Sequence, residues 1–127
     1  MKKGFTLVEM LAVIVLLSIV ITIAVPTITK LRKKTIIKQN ENQILEIETS
    51  AVFYAQDTKM DIANNAELNI TVKTLIDAGY IKSNVKKGER NCSNNKGCLF
   101  NPYNVNLNSK SIKLYKVNNT LIAKYQE

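Results

Sequence analysis

One long apolar run near the N-terminus constrains this chain more than any other feature. The sixteen residues Met10–Val25 include only two polar side chains, and from Phe5 to Val25 the sole charged residue is Glu9. A helix over this stretch would be roughly 30 Å long, which is the thickness of a bilayer's hydrocarbon core. The chain has 127 residues, and the remainder is too small to bury such a helix. We therefore predict a segment that spans a membrane.

Any interpretation of this segment must explain why a charged residue, Glu9, lies within it. A carboxylate at the centre of a spanning helix costs about 2.5–3.5 kcal/mol on insertion scales, and less near the edge. A secretory signal peptide is an alternative, because Lys2 and Lys3 supply its basic start. However, the run is long for a signal peptide, and no A-x-A cleavage pattern occurs before Pro26.

Residues 1–9, M-K-K-G-F-T-L-V-E, resemble the processing site of type IV pilins and pseudopilins. The resemblance implies that a prepilin peptidase cuts after Gly4 and methylates the new amino terminus at Phe5. It implies that Glu9 is the family's assembly glutamate and that Pro26 kinks the helix. A buried Glu9 carboxylate could then pair with the Phe5 amine of a neighbouring subunit, which would offset both desolvation costs and fix axial register.

The resemblance also implies partners and a location. The subunit would sit in membrane lipid with its leader in the cytoplasm, and then join identical or related pilin subunits in a surface filament. An assembly platform and an ATPase motor would build that filament for adhesion or twitching motility. The alternative function is a competence pseudopilin of a DNA-uptake pseudopilus. A membrane-tethered enzyme or binding domain would leave Gly4, Phe5 and Glu9 without a role.

The charges that flank the apolar run favour the opposite orientation. Five basic residues lie beyond its far end, at Lys30, Arg32, Lys33, Lys34 and Lys38. The positive-inside tendency would place that end in the cytoplasm. The resemblance implies a cytoplasmic leader, and we adopt that orientation.

Helical patterning continues past Pro26. Apolar residues recur at helical spacing at Ile37, Ile44, Ile47, Ala51 and Tyr54, which predicts an amphipathic second half. We expect a single helix from about Phe5 to Ala55; the alternative is two helices hinged at Pro26. The domain organisation predicted is a leader (1–4), a transmembrane and filament-core helix (5–29) and a globular head (30–127).

The C-terminal part predicts an α+β head in which a small antiparallel sheet packs on the amphipathic half of the helix. Residues 57–69 are polar and irregular. A short helix follows, with Thr71 as its cap and Gly79 at its end. Strands are predicted near Leu99–Tyr103, over S-I-K-L-Y-K-V and over T-L-I-A-K-Y, the last two joined by a tight turn at Asn118-Asn119.

No catalytic, cofactor or metal site is predicted. The chain contains no histidine, which removes the usual general base and a common zinc ligand. If the head is exported as the resemblance implies, an oxidising setting favours a Cys92–Cys98 disulfide, with two free thiols as the alternative. Residues 61–127 carry 10 basic and 5 acidic groups, so DNA and anionic wall polymers are candidate ligands; the alternative is a solvated basic surface without a specific ligand. Tyr115 between Lys113 and Lys116 is the one candidate stacking platform.

Overall fold

The computed structural model describes residues 4–64 and 66–127. Its elements are helix α1 (Leu7–Asp57), strand β1 (Glu67–Thr71), helix α2 (Val72–Asp77), strand β2 (Ser111–Val117) and strand β3 (Thr120–Tyr125). The predicted α+β class is confirmed. The chain divides into two compact units, one ending at Ile37 and the other beginning at Lys38. We call them the N-terminal unit and the head.

Within the N-terminal unit, α1 continues through Pro26. A proline inside a helix removes one backbone hydrogen bond, and such a helix bends more readily than it breaks. The alternative of two separate helices hinged at Pro26 is therefore wrong, whereas the kink at Pro26 stays a prediction. Residues 1–3 of the predicted leader lie outside the described residues. The boundaries predicted after residues 4 and 29 also stay predictions.

In the head, α1 buries one narrow face. Ile47, Ala51 and Ala55 are each at most 1% exposed, and their spacing of four residues puts them on one side of the helix. The predicted apolar stripe is correct for Ile47 and Ala51. It is wrong for Ile37, which belongs to the N-terminal unit and is half exposed.

The three strands form an antiparallel sheet in the order β1-β2-β3. Ile112 and Leu114 of the central strand are fully buried, because alternate residues of a strand point to the same face. Ile70 lies opposite Ile112, and Ala123 lies opposite Leu114. The head's main core combines this face with α1, α2 and four loop residues, Ile62, Ile81, Leu99 and Leu107.

The predicted β2–β3 hairpin is confirmed. Asn118 and Asn119 have φ values of 51° and 63°, which is the left-handed pair that a type I′ turn requires and that asparagine tolerates. Strand β3 is also tied to the head part of α1, because the Tyr125 N–H donates to the Glu48 carboxylate over 3.0 Å.

Helix α2 has the predicted caps at both ends. The Thr74 N–H donates to the Thr71 hydroxyl over 3.3 Å. At the other end Gly79 has φ of 85°, and the N–H groups of Gly79 and Tyr80 donate to the carbonyls of Ile76 and Leu75. This pair of bonds is a Schellman motif, and glycine is favoured in its left-handed position because it has no Cβ.

Two sequence predictions about strands are wrong. Residues 67–69 were expected to be irregular, yet they belong to β1. Conversely, Leu99–Tyr103 forms no strand, and Phe100 makes only an isolated bridge to Asn106. The Asn101 side chain explains the second error, since its Oδ1 accepts the backbone N–H groups of Tyr103 and Val105 over 3.0 and 2.9 Å. Those two N–H groups are used in a local loop, so they are not available to pair with a neighbouring strand.

Candidate functional site

The predicted processing and assembly residues lie at the start of α1. Gly4, Phe5 and Thr6 precede the helix, and Glu9 is in its first turn. The Glu9 N–H donates to the Thr6 hydroxyl over 3.2 Å, and the Thr6 N–H donates to Glu9 Oε2 over 3.0 Å. These reciprocal bonds form a capping box, which satisfies two backbone donors at the end of the helix.

The capping box is a feature that our sequence reasoning missed, although its signal was present. Thr6 and Glu9 match the pattern Ser/Thr-x-x-Glu at the start of an apolar helical run. Because the first turn of a helix carries partial positive charge, a carboxylate there is favourable before any partner arrives. Glu9 therefore has an intramolecular role in addition to the predicted role in assembly.

The side chains on both sides of Glu9 are mostly apolar and almost all exposed. Leu7 is 78% exposed, Ile14 60% and Ile23 68%. The helix contains a window that is long and apolar enough to cross a membrane by length and composition. Leaving a row of large apolar groups exposed is unfavourable in water, and large exposed apolar surfaces mark membrane or protein interfaces. This unit therefore requires lipid or other protein around it.

The polar residues in the apolar segment are satisfied by their own helix. The Ser18 hydroxyl donates to the Ile14 carbonyl over 2.7 Å, and the Thr22 hydroxyl donates to the Ser18 carbonyl over 2.8 Å. Such bonds to the carbonyl four residues earlier hide the hydroxyl from its surroundings. The segment can accordingly pass through an apolar medium without unpaired side-chain donors at these two positions.

The predicted disulfide is present in the head. Cys92 and Cys98 are bonded, with Cα atoms 5.8 Å apart, and both are buried in a small second cluster with Val85 and Phe100. Gly97 makes the closure possible, since a Cβ there would lie 2.7 Å from the Val85 carbonyl oxygen. Both sulfurs are used by the bond, so neither is a nucleophile or a metal ligand.

The candidate stacking platform at Tyr115 does not form as predicted. Because side chains alternate along a strand, Lys113 and Tyr115 share one face of β2 while Lys116 is on the other. Lys113 also pairs with the Glu67 carboxylate over 3.2 Å. The face that carries Tyr115 also carries Lys124, which lies opposite Lys113 on β3. Its basic groups therefore come from two strands, and Lys116 is not one of them.

Two tyrosines in the head, Tyr80 and Tyr125, have a raised pKa, and for Tyr125 the main cause is burial. The Tyr80 hydroxyl donates to Asp57 Oδ2 over 2.9 Å, and its ring meets Tyr54 edge to face with centroids 5.4 Å apart. Hydrogen bonding to Asp57, followed by desolvation and the charge of Asp57, raises the pKa of Tyr80. The contact ties the end of α1 to the loop after α2.

Comparison with known proteins gives two matches. Residues 1–25 match the family model described as a prokaryotic N-terminal methylation motif. The ComG operon protein 3 homolog of Bacillus licheniformis is 35% identical over 85 residues, which cover 67% of this chain and 80% of that protein. No solved structure matches.

These matches fit the capping box, the exposed apolar helix and the α+β head. The similarity to the Bacillus protein extends well beyond the 25 residues of the methylation motif, so it includes part of the head. The chain therefore belongs to the type IV pilin-like family, whose members carry the prepilin-type N-terminal methylation motif.

Proposed function

We propose that this chain is a structural subunit, without enzymatic activity, that polymerises through its N-terminal helix into a thin filament on the cell surface. The observation that carries the proposal is the apolar part of the N-terminal unit, whose large side chains are exposed and in which Glu9 is the sole charged residue from Phe5 to Val25. Lipid satisfies that surface before assembly, and the equivalent helices of neighbouring subunits satisfy it afterwards.

Processing prepares the chain for assembly. Prepilin peptidase removes residues 1–4 by cutting after Gly4, and it methylates the amine of Phe5, which keeps its positive charge. Residues 5–29 then form the membrane and filament-core segment, and residues 30–127 form the exported part. The leader faces the cytoplasm, and a platform with its ATPase motor moves subunits from the membrane into the filament.

Glu9 fixes the register between subunits. Its Oε2 accepts the Thr6 N–H of the same chain, while a carboxylate has a second oxygen with which to accept from another donor. The Phe5 amine of a neighbour supplies such a donor. Pairing two charges in an apolar filament core offsets their desolvation, and a buried pair of this kind selects one arrangement over others.

The test compares two glutamates on α1. Glu9→Val removes the carboxylate in the first turn, and Glu41→Val is the control because Glu41 is an exposed residue of the head. We expect both proteins to start at a methylated Phe5 by mass spectrometry. We expect electron microscopy of sheared surface material to show filaments for Glu41→Val and none for Glu9→Val. Filaments at the unmodified level from Glu9→Val would refute the pairing role.

Two biological roles are compatible with such a filament. Adhesion or twitching motility is one. The other is a competence pseudopilus for DNA uptake, and the similarity to a ComG operon protein over 80% of its length favours it. A strain that lacks this chain should lose transformation by added DNA if the second role is correct, and surface motility if the first is correct.

A further inference from the structure

A group of basic residues directly follows the uncharged part of α1. Its members are exposed residues of the N-terminal unit, at Lys30, Arg32, Lys33 and Lys34. We call these four residues the basic collar. The positive-inside tendency would put such charges in the cytoplasm, whereas the orientation adopted above puts them on the exported side. Their position therefore needs another physical cause.

The basic collar has no acidic partner in the part of the chain that the structure describes. The ion pair found there joins Lys113 to Glu67 in the head, so no carboxylate oxygen of that part lies within 4.0 Å of a collar nitrogen. Residues 10–40 include no aspartate or glutamate. Like charges three or four residues apart on a helix, such as Lys30 and Lys34, repel each other. An external anion would relieve that repulsion.

The position of the collar along α1 matches the headgroup layer of a bilayer. The uncharged stretch 10–29 has twenty residues, so at about 1.5 Å per residue it is roughly 30 Å long, the thickness of the hydrocarbon core. Lys30 follows at once, and Lys34 is about 6 Å farther along the axis. Headgroups add roughly 5–7 Å on each side of the core. The collar therefore falls where lipid phosphates lie.

The collar also faces several directions around the helix. Successive residues of an α-helix are about 100° apart, so Arg32 lies roughly opposite Lys30, while Lys33 and Lys34 lie to either side of Lys30. A single protein partner would contact one side of α1, whereas lipid headgroups surround a spanning helix. Ammonium and guanidinium groups both form strong, charge-assisted hydrogen bonds with phosphate oxygens. The arrangement thus favours phospholipid over a protein partner.

We propose that the basic collar binds the phosphates of anionic phospholipids in the outer leaflet before the subunit joins the filament. The inference rests on the proposed function, because that function puts the apolar segment in lipid and the collar on the outer side. The collar continues the lipid-facing surface of the apolar segment, which holds it at the depth of the headgroups. Binding there fixes the depth of the helix in the membrane.

A single tryptophan tests the lipid preference, since the chain has none of its own. Leu31→Trp puts it inside the collar, at a position that is 57% exposed. The full chain is reconstituted in phosphatidylcholine vesicles with about one third phosphatidylglycerol, and one lipid or the other carries a nitroxide quencher near its headgroup. Both leaflets have the same composition, so the orientation of the chain in the vesicle does not affect the signal.

The quantity measured is the association constant of phosphatidylglycerol at the tryptophan relative to phosphatidylcholine. We expect a ratio of about five or more, because one basic residue near an anionic surface is worth about that factor. A ratio near one in the chain with its collar intact would overturn the proposal without any further variant.

Replacing all four collar residues by glutamine should bring the ratio close to one. Replacing the three collar lysines by arginine should keep it, because the charge is unchanged. The matched control removes four charges from the head by changing exposed lysines to glutamine, at Lys73, Lys82, Lys86 and Lys96. That control should also keep the ratio. An unchanged ratio in the glutamine variant of the collar would overturn the proposal.

A soluble phosphate separates lipid binding from binding of phosphate in general. Glycerol phosphate and sodium chloride are added at equal ionic strength, and we expect both to lower the ratio equally by screening. Loss of the preference with glycerol phosphate alone would show a site for soluble phosphate and overturn the lipid assignment. Because the vesicles contain no filaments, failure here leaves the proposed function intact. Absence of filaments from the unmodified chain would refute that function and not the lipid preference.

Discussion

The N-terminal unit exposes the same apolar residue types that the head buries. Leu16 in the N-terminal unit is 63% exposed, whereas Leu114 in the head is fully buried. The head pairs its apolar groups internally, using a sheet, a short helix and one face of α1. Over its described residues, from Gly4 onward, the N-terminal unit is a single helical segment with no second layer of its own. The difference teaches that only the head has a core that stabilises it without external partners.

The comparison is tested most strongly by removing equivalent leucines. Leu114→Ala should destabilise the head by about 2–5 kcal/mol, because it leaves a cavity in the core. Leu16→Ala should leave the head within about 0.5 kcal/mol of the unmodified chain. The measurement is denaturant unfolding of the full chain in mild detergent, followed by tyrosine signals, since all five tyrosines are in the head. Equal effects of the two substitutions would contradict the comparison.

The next effect concerns the disulfide, which only the head possesses. Replacing Cys92 and Cys98 together by serine should cost the head about 2 kcal/mol, since a bond across a short loop restricts the unfolded chain modestly. Reduction of the unmodified chain should give the same shift in unfolding midpoint. Ser93→Ala, inside the same loop, is the control and should have little effect. An unchanged midpoint after reduction would show that the bond does not stabilise the head.

Removing the cap of α2 should destabilise the whole head, whereas removing the cap of α1 should affect only its first turn. Thr71→Ala removes the cap of α2 and should cost the whole head about 1 kcal/mol. Thr6→Ala removes half of the capping box and should only fray the first turn of α1, because that turn is in the other unit. Hydrogen exchange at the amides of residues 8–10 measures the fraying. A shift of the head's unfolding midpoint by Thr6→Ala would break the comparison.

The smallest effect is expected at Tyr80. Its pKa is raised above the ordinary value of 10.0, mainly by the hydrogen bond to Asp57. A raised pKa means that the neutral form is favoured in the folded head. The stabilisation is therefore complete below pH 10 and is lost as the pH rises through the folded pKa. Tyr80→Phe should destabilise the head slightly at neutral pH, and that difference should shrink under alkaline conditions. Denaturant unfolding of both proteins at neutral and at alkaline pH measures the difference, and a difference that stays the same at both pH values would contradict the prediction.

Much of the fold follows from local sequence signals. The hairpin at Asn118-Asn119 and both ends of α2 are specified by residues that tolerate positive φ or cap a helix, and these were predicted correctly. The continuous helix through Pro26 was also predicted. Such features depend on neighbours within a few residues, so a short stretch of sequence is enough to predict them.

The errors came from contacts between distant residues. Strand β1 has a polar sequence with one buried residue, Ile70, and it exists because it pairs with β2 about 45 residues later. In the segment after Leu99 the apolar residues indicated a strand, but the Asn101 side chain accepts backbone N–H groups that a strand would need. At the candidate site, Gly4, Phe5 and Glu9 were found by resemblance, whereas the bond between Thr6 and Glu9 was visible in the sequence and missed.

The exposed apolar face of the N-terminal unit has a consequence for how a filament grows. Each large apolar side chain left in water costs about 1.5–3 kcal/mol, and fifteen such exposed residues lie from Leu7 to Ile28. A subunit that paused in water on its way out would bear all of these costs together. In the proposed filament, transfer from the bilayer would therefore be direct. Growth would occur at the base, with each new subunit leaving the lipid only as fast as its predecessors cover its apolar surface.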